Sequence, residues 1–335
     1  LHHFLALCKR MNNKEIDQNI LDRIKLLEEK YEAMGQDMTS YLDGLLHADY
    51  LKYWDYINLD SLLGLQQPKT HFKDEMIFII YHQSTELYFK LIRWEMQQLH
   101  EAHHPNIEFF TTRLKRINNY FEHLCHSFSI MIHGMEKEQF LQFRMSLLPS
   151  SGFQSAQYRM IEIASTDMIN LVNLNKRDEF DLYATIEELY NSIYWMTGAT
   201  ELKTGKKTLT LDHFEAKYSK EFIQLAKDVK ATNLNQLYLR FYGDLEGKEE
   251  LIKELRKFDL LANVEWPLMH YKSAVRYLQR NPEDIKATGG TNWQKYLPPR
   301  FQKVVFFPSL WSKDEHENWG KHWVEENVGG FEEAL

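Results

Sequence analysis

Cysteine is almost missing: Cys8 and Cys125 are the only two in 335 residues. Two so far apart exclude a disulfide framework and a cysteine-based zinc site, which fits a reducing, cytoplasmic setting. Helix breakers are scarce as well, with 14 Gly and 8 Pro. Most prolines (Pro68, Pro105, Pro149, Pro298, Pro299) stand near apparent element ends, so long helices are expected. No apolar run reaches the length of a membrane span, and Phe4–Cys8 is too short for a secretory core. The formal net charge is −8, with acids and bases interleaved. There is thus no basic stripe for nucleic acid and no polybasic patch for a membrane surface. Internal repeats, low-complexity tracts and clean period-two alternation are lacking too.

What is present is a 44% hydrophobic content, enough for a sizeable core. Ile16, Ile20, Ile24, Leu27, Tyr31 and Met34 recur at spacings of three and four and run into Gly35, predicting an amphipathic helix with a glycine stop. The chain begins with Leu1; Met11 followed by Asn12 and Asn13 reads as a natural start, with residues 1–10 upstream of it. Next comes an aromatic stretch, Tyr50, Tyr53, Trp54 and Tyr56, then Leu59, Leu62, Leu63 and Leu65. So many rings call for a cover, from their own subunit or a neighbour. Helices are predicted over 74–104, 107–134, 136–148, 155–172, 182–196 and 211–229. Two more follow, over 234–258 with an interruption near Gly243 and Gly247, and around 266–278. Residues 197–210 read as a solvated loop. The organisation expected is an extension over 1–48 and an all-α body over 49–335.

Three constellations can carry chemistry. Phe78 and His82 lie at i and i+4, hence on one helical face, in a segment apolar enough to be largely buried. A neutral imidazole there can accept a hydrogen bond or hold a metal. Phe140 and Arg144 repeat the spacing, and a buried guanidinium needs an anion. The turn Pro149-Ser150-Ser151-Gly152-Phe153 can set backbone N–H groups beside it, a corner suited to an amino-acid carboxylate. His270 has Ser273, Ala274 and Tyr277 on its helical face, and small neighbours leave room for something flat, such as a porphyrin whose iron takes one proximal histidine. Each has a plainer reading: core histidines satisfied by backbone carbonyls, and an arginine paired with Glu136 or Glu162. Ala287–Asn292, with Gly289 and Gly290, forms a hinge lacking the lysine of a phosphate loop. His100, His103 and His104 are expected to face solvent.

In order along the chain, Tyr53–Asp60, Asp74–Gln83, Phe140–Arg144 running on to Ser151–Ser155, Trp266 with His270, and Thr288-Gly289-Gly290 resemble blocks of the tryptophan 2,3-dioxygenase family. Lys73 and Pro267 stand where that family more often has His and Arg. The resemblance implies an all-α haem enzyme, a homotetramer built as a dimer of dimers, whose N-terminal arm packs on a neighbouring subunit. Its substrates would be L-tryptophan and O2, its product N-formylkynurenine, the first step of the kynurenine route, and its cofactor one haem b per subunit. By motif position His270 would be the axial ligand of the haem iron, and His82 would accept the indole N–H as the catalytic residue. Arg144 would hold the carboxylate, with Phe78, Phe140 and Thr288 around the substrate. Tyr53, Tyr56 and Ile57 would come from a partner subunit, and Ser151 and Gly152 would lie against haem. Readings that compete with this one are a haem-dependent mono-oxygenase or hydroxylase acting on an indole or tyrosine-like substrate, a haem carrier, and a plain helical scaffold.

Overall fold

The computed structural model describes residues 17–47, 52–102, 104–144, 154–198, 206–278 and 302–321. Ser151, Gly152, Thr288 and the 287–292 hinge lie outside the described residues. The chain divides into two compact units, Leu1–Leu65 and Gln66–Leu335.

In the first unit, α1 (Gln18–Ala33) starts on Asp17, whose carboxylate accepts the Asn19 amide. It ends as predicted on Gly35: at φ +66° the chain turns left-handed, the Gly35 amide reaches Glu32 O and the Gln36 amide reaches Tyr31 O, both at 2.9 Å. Only glycine makes that turn without strain. The helices α2 (Met38–His47), α3 (Tyr53–Tyr56) and α4 (Leu59–Leu63) follow, and none of the four contains a buried residue.

The second unit is all-α. Among its described residues there is no strand, and an isolated antiparallel bridge joins Val172 to Ile193. Two long antiparallel helices organise it, α5 (Asp74–Glu101) and α6 (Ile107–His133), followed by α7 (Lys137–Arg144) and α8 (Ala156–Ser165). The α6 helix is capped by Asn106, whose side chain accepts the Phe109 amide at 2.8 Å, and it buries Phe110, Leu114, Ile117, Phe121, Leu124, Phe128 and Met131. That alternation of four and three is one helical face, and each such side chain contributes roughly 1.5–3 kcal/mol by leaving water. Against this face pack α5 and the C-terminal run of α11 (Glu249–Leu260), a π-helical turn (Leu261–Glu265) and α12 (Trp266–Leu278). Between them come short helices, then α9 (Leu209–Asp228) and α10 (Leu234–Tyr242). None of the described helices is long and apolar enough to cross a membrane.

Several sequence expectations need correction. The helix predicted over 155–172 stops at Ser165: Thr166 is extended and its hydroxyl donates to Phe306 O at 2.6 Å, while Asp167 accepts from Asn233, Asn235 and Gln236. Side chains committed to distant partners end the helix there. The predicted helix over 182–196 is two short ones, Ile186–Tyr190 and Tyr194–Gly198, with the Val172–Ile193 bridge between them. Of the three histidines expected to face solvent, His100 does not, since its Nδ1 bonds Thr232 O at 2.6 Å; His104 is exposed as expected, and His103 lies outside the described residues. Nor is α5 buried all round: Met76, Ile80, Leu87, Leu91 and Trp94 form an exposed stripe along it.

Candidate functional site

The local sequence of α5 sets His82 before any tertiary contact does. Its Nδ1 lies 2.7 Å from the Phe78 carbonyl one turn earlier. A carbonyl can only accept, so Nδ1 carries the hydrogen and Nε2 keeps its lone pair. The Phe78 ring lies on the imidazole with centroids 4.0 Å apart, and Tyr81 meets it edge-on at 5.4 Å. Burial lowers the His82 pKa, although the Phe78 carbonyl and Glu86 push the other way; the side chain nonetheless keeps accessible surface. Against the burial expected of this segment, His82 is an exposed residue of the chain; its lowered pKa leaves the imidazole neutral at pH 7.

The start of α5 is held by two carboxylates. Glu75, 1% exposed, accepts the amides of Lys69 and Thr70, each at 2.7 Å, and the Thr70 hydroxyl at 2.6 Å. Burial pushes its pKa up, but these donors outweigh it and leave the carboxyl below its ordinary value. Asp74 reaches across the molecule and accepts the Glu136 amide at 2.6 Å just before α7, while the Asp74 amide donates to Gln139. The α5 and α7 helices are thereby tied at their first turns. As a result Phe140 and Phe143 come to 6.3 and 5.7 Å from the Phe78 ring, and Arg144, half-buried, ends the same helix. Glu162, one partner considered for Arg144, is instead bonded to Arg159 at 2.6 Å and to Tyr194 at 2.5 Å.

His270 comes from the other end of the chain. On α12, Tyr277 stacks on Phe140 at 4.3 Å and donates its hydroxyl to Met131 O at 2.8 Å, joining this helix to α6 and α7. The imidazole sits by Phe128 and Trp266, at 5.5 and 6.2 Å between centroids. Burial pushes its pKa down to about 4, helped by His82 in its protonated form and by the Arg159 guanidinium. Ring contacts connect the two histidines, His82 to Tyr81 at 5.4 Å, Tyr81 to Phe128 at 5.8 Å and Phe128 to His270 at 5.5 Å between centroids. Like His82, His270 retains accessible surface, and no hydrogen bond to it is found among the described residues.

These features can be tested against a haem. A neutral imidazole with no hydrogen bond, a buried Ser273 and a half-buried Ala274 on its face, and aromatic walls suit an axial ligand beside a flat macrocycle. Among the described residues no group of three or more His, Cys, Asp or Glu gathers as a multi-ligand metal site would require, and a haem iron needs only one protein ligand. The residues fit.

Tyr53 and Tyr56, 70% and 73% exposed, and the half-buried Ile57 belong to the Leu1–Leu65 unit. Sequence reasoning missed the buried cluster of Arg159, Glu162 and Tyr194, where Arg159 also lies over the Tyr158 ring at 4.9 Å. The one available signal was an Arg-x-x-Glu spacing inside an apolar helix.

The family model for tryptophan 2,3-dioxygenase matches residues 44–235, more than half of the chain; this span holds Phe78, His82, Phe140 and Arg144 and ends before His270. Curated relatives extend further. A tryptophan 2,3-dioxygenase of Ruegeria sp. (strain TM1040) is 29% identical over 269 residues, covering 79% of this chain and 92% of the relative. That of Polaromonas naphthalenivorans (strain CJ2) is 28% identical, covering 78% and 90%, and that of Bacillus thuringiensis subsp. konkukian (strain 97-27) is 28% identical, covering 80% and 94%. With an all-α body and two neutral histidines brought together from positions 188 residues apart (270 less 82), the chain belongs to the tryptophan 2,3-dioxygenase family.

Proposed function

We propose that the protein is a haem-dependent dioxygenase that inserts both atoms of O2 across the indole C2–C3 bond of L-tryptophan, giving N-formylkynurenine. The observation that carries this reading is the pair His82 and His270, both neutral and both with accessible surface, linked through the rings of Tyr81 and Phe128. In it His270 holds haem b through the iron, and Ser151 and Gly152 contribute to the haem surround. Once bound, the haem supplies the redox-active iron that lets dioxygen react with a closed-shell indole.

The protein's own part is binding and orientation. With Nδ1 committed to Phe78 O, His82 offers Nε2 to the indole N–H, which fixes the ring's rotation and draws electron density toward the reacting carbons. Phe78 and Phe140 provide apolar surface for the indole and exclude water. Arg144 takes the carboxylate through a charge-assisted, bidentate contact, and Thr288 closes on the amino-acid backbone. No proton need leave the substrate to another residue, since the indole nitrogen keeps its hydrogen in the product.

Residues 49–335 form the catalytic body in this reading, with 1–48 as an extension, in a cytoplasmic enzyme. Self-association is supported by the α5 stripe, whose members Met76, Ile80, Leu87, Leu91 and Trp94 are 37–60% exposed. A line of that length is what a helix presents to a partner. The assembly is a homotetramer, a dimer of dimers, in which Tyr53, Tyr56 and Ile57 complete a neighbour's pocket.

The test is product mass. The reduced, haem-loaded protein given L-tryptophan under labelled dioxygen is expected to yield N-formylkynurenine carrying two labelled atoms. A product with a single labelled atom would replace the dioxygenase reading by mono-oxygenation.

A further inference from the structure

The helical run Glu249–Leu278 contains an interior proline, Pro267. The residue has no amide hydrogen to give. In a helix the Ala262 carbonyl has two possible donors, the amide four residues on and, in a π turn, the one five residues on. The first, Trp266 N–H, is donated to Leu261 O; the second would be Pro267. Ala262 is wholly buried, so no water can stand in, and an orphaned carbonyl there is costly.

The missing donor comes from another helix. Tyr158, on α8, donates its hydroxyl to Ala262 O at 2.8 Å. It is 6% exposed, its ring packs on Phe89 at 5.6 Å, and the neighbouring Arg159 is locked by Glu162 and Tyr194. The phenol is thus delivered from a rigid element.

We propose that Tyr158 is a positioning residue for His270: its hydroxyl replaces the amide that Pro267 lacks and holds the π turn that sets the direction of the imidazole. The geometry gives the reason. A π turn inserts one residue into the helical repeat, and taking it out would rotate everything beyond it by about 100°. His270, four residues past Trp266, would then leave the side it shares with Phe128. The functional half of the proposal rests on His270 being the haem ligand; the structural half does not.

The experiment is a double-mutant cycle on the full-length, haem-loaded chain with Tyr158→Phe, Pro267→Ala and both together. Amide hydrogen exchange is followed across 261–268, with the rate of haem transfer to excess apomyoglobin and the iron–histidine stretching band of the ferrous protein. Tyr158→Phe is expected to speed exchange and haem transfer by about tenfold, as for an unpaired buried carbonyl, and to shift the iron–histidine band. Pro267→Ala returns an N–H to the helix, so in that background removal of the hydroxyl is expected to change either rate by less than about twofold. Wild-type exchange in Tyr158→Phe would overturn the proposal. Equal effects in the two backgrounds would do so too, reducing Tyr158 to packing. A parent chain that takes up no haem would instead defeat the reading of His270, and the exchange data would still decide the role of Tyr158.

Discussion

His82 and His270 are the same residue held in opposite ways. His82 stands in a regular helix and is oriented by its own segment, through a bond to a carbonyl four residues back. His270 follows a π turn and a proline, and it owes its direction to Tyr158, whose bond to Ala262 spans 104 residues of chain. The pair teaches that a ring needing one fixed tautomer can be set locally, whereas a ring with no hydrogen bond among the described residues has to be aimed by the backbone beneath it.

The largest effect expected from breaking this contrast is at His270. His270→Ala should abolish haem uptake, read as loss of the Soret band, whereas His82→Ala should keep the band and lower kcat/KM for L-tryptophan by about tenfold, the worth of one hydrogen bond. Haem retained in His270→Ala would show that another side chain binds the iron. Next is Arg144→Ala, which should raise the Kd for L-tryptophan by about a hundredfold while leaving haem content alone, since a buried charge-assisted contact is worth several kcal/mol. An unchanged tryptophan titration would remove Arg144 from the site.

The smallest effect expected separates the two arms by acid. Glu75, which anchors α5, has a depressed pKa, so its contribution is present above the ordinary 4.5 and lost as pH falls through the folded value. Asp259 near the π turn is the reverse. It accepts the amides of Phe306 and Phe307, the Trp311 indole N–H and the Asn263 amide, and burial pushes its pKa up to about 6 from 3.8. Between those values the folded chain holds a proton that the unfolded one has released, so this group's contribution rises as pH falls. As pH falls below 4.5 and through the folded value of Glu75, the Lys69 and Thr70 amides should therefore lose exchange protection before those of Phe306 and Phe307, after correction for intrinsic rates. The opposite order would mean that the His82 arm is the sturdier one.

Much of this was legible in the sequence where the physics is local. The i,i+4 pairs Phe78/His82 and Phe140/Arg144, the glycine stop after α1 and the break between α10 and α11 near Gly247, at φ +73°, all follow from helical periodicity and steric freedom. Residues 260–265 gave no hint of a π turn, because Leu-Leu-Ala-Asn-Val-Glu reads as ordinary helix and its cause sits in Pro267 and Tyr158 together. The helix predicted over 155–172 failed for a similar reason, Thr166 answering to Phe306 rather than to its neighbours. The apolar richness of α5 was misread as burial, since composition does not say whether a helix face is covered by its own chain.

The Asp74 carboxylate has one more consequence. By gripping the Glu136 amide at 2.6 Å it makes the spacing between the Phe78 ring and the Arg144 guanidinium a gauge of fixed length. Given the proposed roles, small molecules are sorted by how far their flat end stands from their acid end, so an indole acid with one methylene more or fewer would reach one jaw and miss the other.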